Sequence, residues 1–135
     1  MEKLTRGVRN NNPLNIRKGN NWQGERQHQA DTAFEEFSGM VWGLRAGFRI
    51  IKNYMQRAPK CDTLQKIITR WAPPMENDTQ AYIDFVSKKT GIRSDMKLDF
   101  RESTKIVAIV TAMCQMESNY TPSLPLCTQA YEMAL

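Results

Sequence analysis

Apolar positions recur at helical spacing over most of the chain. In VWGLRAGFRIIKNYMQ, residues 41–56, Val41, Leu44, Phe48, Ile51 and Met55 fall three and four apart and form one stripe. Gly43 and Gly47 lie within it and cost helix propensity, yet their i, i+4 spacing leaves room for another backbone. Thr63 is placed to cap a second helix, where Leu64, Ile67, Ile68 and Trp71 share a side before Pro73 and Pro74 stop it. Asn77, Asp78 or Thr79 can cap a third, which carries Tyr82, Ile83, Phe85 and Val86 and ends near Gly91. A connection over 92–98 leads to a last long helix that starts at Asp99 or Ser103. Pro122 and Pro125 prevent its early continuation.

The front of the chain has a different pattern. Residues 1–20 read as mostly irregular. RGVRNNNPLNIRKGNNWQGE, residues 6–25, has too few apolar positions for a buried strand and too many breakers for a helix. Leu14, Ile16 and Trp22 are nevertheless spaced as anchors, so the stretch reads as an ordered loop, where function often resides. From Asn21 to Phe37, Trp22, Phe34 and Phe37 flank a polar middle with Gly24, which predicts a short antiparallel hairpin. The expected fold is mainly α (α+β): four or so helices and one small β-hairpin near the N-terminus, in a single domain over 1–135.

Composition narrows the class. At 41% hydrophobic and 24% charged, the chain has the balance of an ordered globular domain. No apolar run approaches the roughly 20 residues of a membrane helix, so no membrane insertion is expected. MEKLTRGVRNNN has no apolar core of a secretory signal. The expected route is synthesis in a host cytoplasm, then passage to the cell wall in a virion or through another export system. A net charge of +5 and a pI near 9.3 favour polyanionic partners: nucleic acid, an anionic membrane surface or acidic wall polymers. The basic residues are scattered among acidic ones, which equally describes a solvated basic surface. Without a basic stripe or a recognised motif, specific nucleic-acid binding is not expected. Cys61, Cys114 and Cys127 are odd in number and lack CxxC spacing, which argues against a disulfide framework or a zinc site. Cys114 reads as a small buried hydrophobe. With His28 as the single histidine, a His-rich metal site is excluded, and no cofactor is implied.

One carboxylate stands out of pattern. Ile106, Val110 and Met113 fall at i, i+4 and i+7 of the last long helix, and the i+11 position of that stripe is Glu117. Eleven residues make about three turns, so Glu117 shares the buried face at its C-terminal end. Burial disfavours its charge, and so does the negative end of the helix dipole. Both raise its pKa, which suits a general acid. The alternative is that the stripe ends at Met113 and Glu117 points into water.

RGVRNNNPLNIRKGNNWQGE, then Asp31, Phe34 and Phe37, then GLRAGFRIIKNY and IITRWAPPMENDTQAYI, resemble a group of phage virion and prophage proteins labelled structural protein P5. The resemblance runs from about Arg6 to Gly91. MESNY, around Glu117, more distantly resembles the helix end that carries the catalytic acid in the lysozyme superfamily, including lytic transglycosylases and bacterial glucosaminidases. NPLNIRKGNNWQG resembles a segment that follows that helix in the glucosaminidases, so the order looks circularly permuted, which neighbouring termini permit. Leu14 stands where the phage proteins have glycine, which puts the shape of that loop, and with it the activity, in doubt.

The resemblance implies a lysozyme-like domain that cleaves β-1,4 glycosidic bonds in peptidoglycan. Glu117 would be the acid, and Asp31, with Thr32 beside it to position water, the candidate partner. Glu25 is a second candidate. Asn12, Asn15, Trp22, Glu25 and Thr32 would line the substrate wall, with Trp22 stacking on a sugar; alternatively Asn10 to Asn12 shape turns and Trp22 packs against Phe34. The implied partners are peptidoglycan glycan strands, with Arg6 and Arg9 meeting acidic peptide stems, and other virion proteins. The rival to an enzyme is a virion structural or adaptor protein on the same scaffold.

Overall fold

The computed structural model describes residues 4–135; the first three residues of the expected domain lie outside the described residues. Within that range the chain forms α1 (Arg6–Arg9), α2 (Met40–Gln56), α3 (Leu64–Trp71), α4 (Thr79–Thr90), α5 (Ser103–Ser118) and α6 (Leu124–Met133). The fold is mainly helical, as the periodicity predicts. Thr63 caps α3 through its side chain, Asp78 caps α4, and Gly91 ends α4 in the left-handed conformation. The sequence pattern did not predict α1 or α6. Ser123 caps α6, and Pro125 sits in its first turn, where a missing N–H costs nothing; this proline starts a helix.

α5 is the axis of the core. Ile106, Val107, Ile109, Val110, Ala112, Met113 and Cys114 are all buried along it, and it packs against α4, α6 and α1. α2 lies against α6 and α3. Tyr131 of α6 lies edge-on to Phe48 and stacks on Phe100, whose carbonyl accepts its hydroxyl at 2.6 Å. Arg45 and Arg49 of α2 donate to the Met133 and Ala134 carbonyls, satisfying the end of α6.

The expected close approach at the α2 glycines is present. A Cβ at Gly43 would lie 2.0 Å from the Asn11 carbonyl oxygen, and one at Gly47 would lie 2.1 Å from Leu14 Cδ1. The asparagine-rich loop is thus seated on α2. Leu14 is buried in this seat, and the positive φ values fall on Asn11 and Asn15 instead. Asparagine tolerates that region better than most residues.

The expected hairpin over 21–37 does not form as a ladder. The segment is held by two isolated antiparallel bridges, Arg17 with Phe34 and Glu25 with Phe37. The reason lies in its side chains. Asp31 Oδ1 accepts the backbone N–H groups of Ala33 and Phe34. Glu36 Oε2 accepts those of Ala30 and Asp31, and Gln29 Oε1 accepts that of Glu36. Donors that would build a ladder are spent on local side chains.

Candidate active site

Glu117 lies in the last turn of α5, half-buried, below the buried Ile106, Val110 and Met113. Asn119 closes the helix in the left-handed conformation. The N-terminal segment is bolted to this turn. Thr5 Oγ1 donates to the Ser118 carbonyl and Ser118 Oγ to the Pro13 carbonyl, both at 2.8 Å. A Cβ at Gly7 would lie 1.9 Å from Ser118 Oγ, so only glycine lets α1 approach α5 this closely.

Asn15 Nδ2 donates to the Glu117 carbonyl at 3.0 Å and reaches Oε1 at 3.4 Å. Burial raises the Glu117 pKa, while Tyr82, Asn15 and Trp71 offset part of that shift by facing the charged form with neutral donors. The Tyr82 hydroxyl is buried and has no direct hydrogen-bond partner among the described residues. Glu117 therefore occupies a desolvated setting faced by neutral donors, an arrangement that favours the protonated acid relative to an ordinary glutamate. Periodicity places Trp71 and Tyr82 on apolar helix faces, as core; the sequence signal that marks them out is the RWAPPMENDTQAY motif in the resemblance.

Asp31 has a different setting. Arg6 grips it with two bonds of 2.7 Å, Asn10 Nδ2 donates at 3.0 Å, and two backbone N–H groups complete its shell. The Arg6 guanidinium and these N–H groups hold its carboxyl far below the usual range. It ties α1 to the 29–37 segment.

Among the nominated wall residues, Asn12 is 0% exposed. Its amide donates to the Ile16 and Glu35 carbonyls and its oxygen accepts from Ile16 N, so it shapes the loop from within. Asn10 and Asn11 likewise bond Asp31 and the Phe37 carbonyl. Trp22 is half-buried against the core, with its indole N–H buried and without a partner among the described residues. Phe34, its candidate neighbour, is covered by the guanidinium groups of Arg6 and Arg17. Thr32 is exposed.

Glu25 accepts the Trp22 N–H at 3.2 Å and stands in a diagonal relation to Glu35, because Glu25 pairs with Phe37. Glu35 is buried, with Oε2 lacking a hydrogen-bond partner among the described residues, and desolvation together with the Glu25 carboxylate pushes its pKa up to about 7. Composition gave no signal for this pair, since it depends on the fold of the 25–37 segment.

A cavity of about 530 Å³ lies between α4, α5 and α6, lined by Lys89, Thr104, Val107, Thr111 and Leu124. It uses a face of α5 that does not include Glu117. Among the described residues, no group of three or more histidines, cysteines or acids is placed to hold a metal. No helix is long and apolar enough to cross a membrane among those residues.

Fold and site together define a small helical protein with a half-buried carboxylate at the end of its central helix. The chain belongs to the phage protein P5 family. It is 42% identical over 126 residues to Protein P5 of Pseudoalteromonas phage PM2, covering 90% of this chain and 76% of that relative. No family model matches the chain.

Proposed function

We propose that the protein is a peptidoglycan-cleaving glycosidase of phage or prophage origin, built on a circularly permuted lysozyme-like scaffold. The observation that carries this reading is the setting of Glu117: desolvated, at a helix C-terminus, and bonded by Asn15 from the loop that resembles the glucosaminidase segment. Protonated Glu117 donates to the leaving glycosidic oxygen. The carboxylate it becomes then takes a proton from water, giving a muramidase, or from the sugar's own 6-hydroxyl, giving a lytic transglycosylase. Trp71 and Tyr82 face the same carboxylate; half-buried Trp71 is proposed to flank the scissile bond, and buried Tyr82 to back the acid. Asn15 orients the acid. Asp31, engaged by Arg6 and Asn10, is proposed to position the wall; Glu25 is the freer partner candidate.

The second reading is a virion structural protein on this scaffold. It is favoured by the 530 Å³ cavity lying away from Glu117. The deciding experiment incubates purified protein with peptidoglycan sacculi, wild type beside Glu117→Gln, and identifies released fragments by mass spectrometry. Release by the wild type alone supports the glycosidase, and fragment masses separate hydrolysis from anhydro-sugar formation. Release by neither folded protein favours the structural role.

A further inference from the structure

We infer that Arg17, in the loop that carries Asn15, is an anion-reading residue, taking a carboxylate carried by the muramyl units of the glycan; this rests on the glycosidase reading above. Arg6 and Arg17 both stand over the Phe34 ring, their guanidinium carbons 4.5 and 4.9 Å from its centroid. The ring steadies both cations. Asp31 neutralises Arg6 at 2.7 Å. Arg17 is exposed and has no carboxylate partner among the described residues. Among the described residues the two cations share one counter-ion, which leaves the Arg17 charge open to a ligand.

The backbone ties that charge to the candidate site through its chain neighbours. Arg6 follows Thr5, which bonds the Ser118 carbonyl, and Arg17 lies two residues beyond Asn15, which bonds Glu117. The Phe34 ring and its two arginines are therefore linked through Thr5 and Asn15 to the last turn of α5. A guanidinium offers paired N–H groups that match a carboxylate in two parallel bonds. A nucleic acid would instead ask for several phosphate contacts in a row. Muramyl units offer carboxylates from the peptide stem or, once the stem is removed, from the lactyl group.

The test measures binding to sacculi from a Gram-negative host by sedimentation, in a Glu117→Gln background so that strands stay intact. Three substrates are compared: native sacculi, sacculi whose carboxyl groups are capped as methylamides, and amidase-stripped glycan. The expected result is about tenfold weaker binding on capping. Arg17→Gln shows the same loss on native sacculi and no further loss on capping, and Arg17→Lys recovers part of it. The Arg17–Phe34 bridge is a backbone pairing, which a glutamine retains. A drop on amidase-stripped glycan, which lacks the stem, assigns the stem carboxylate alone; retained binding there that is lost on capping the stripped glycan shows that the newly freed lactyl carboxylate is also read. Equal sensitivity of parent and Arg17→Gln to capping would overturn the inference. So would single-stranded DNA binding that needs Arg17 while sacculus binding ignores capping. Muropeptide release by the wild type reports separately on the glycosidase: carboxylate-dependent binding without release sinks that reading and leaves the Arg17 ligand standing.

Discussion

Glu117 and Asp31 are both acids nominated for chemistry, and the fold treats them in opposite ways. Asp31 has a guanidinium, a carboxamide and two backbone N–H groups around it, and its pKa is driven down. Glu117 has one long side-chain bond, a facing hydroxyl that makes no direct bond, and burial that drives its pKa up. A saturated carboxylate holds a fold together, because every lone pair is committed. An under-satisfied one costs stability and keeps a proton to give. The difference assigns Asp31 to the frame of the loop and leaves Glu117 as the reactive candidate.

The comparison breaks most readily at Glu117. Glu117→Gln is expected to lower sacculus cleavage by about a thousandfold while Tm holds or rises, since an acid held up by burial contributes no stabilising charge. Equal cleavage by the variant would place the acid elsewhere. The wild-type rate should be flat at low pH and fall as pH rises through the raised Glu117 pKa, because the protonated form is the donor.

The seat of the loop is tested next. Gly43→Ala drives a methyl into the Asn11 carbonyl and is expected to cost about 3 kcal/mol in urea unfolding. Asp31→Asn should lower Tm at pH 7. Because the native carboxyl titrates below its unfolded value, the stability it supplies is present above the ordinary aspartate range. That stability is lost as pH falls, and the variant should lack this acid-side loss.

Glu35 has the reverse sign. Its native pKa of about 7 lies above the ordinary glutamate value, so the native state binds the extra proton in between. Stability therefore falls as pH rises toward 7 and is flat beyond. Glu35→Gln should remove that slope and gain about 2 kcal/mol at pH 8. Smallest is Tyr82→Phe, which deletes an unpartnered hydroxyl and should shift stability by less than about 1 kcal/mol. It should also move the falling limb of the cleavage profile to higher pH, since Tyr82 lowers the Glu117 pKa.

Periodicity and capping alone determined much of this protein. The stripes of α2, α3 and α4 and the central run of α5 were legible because an amphipathic helix repeats its apolar face every three or four residues. Glu117 was legible for the same reason, as the acid at i+11 of a buried stripe. The close approach at Gly43 and Gly47 could be expected from spacing. α1 was missed because four residues carry no period, and α6 because Pro125 reads as a breaker until its first-turn position is known. The hairpin was expected from aromatic spacing. Only the tertiary structure decided that Asp31, Glu36 and Gln29 would take its backbone donors. The asparagines divided likewise: composition marked them as turn residues, but the fold alone turned Asn12 inward and Asn15 toward Glu117. A carboxylate's charge state is set by what surrounds it at a few ångströms, and those neighbours come from residues 15, 71 and 82, far apart in the chain.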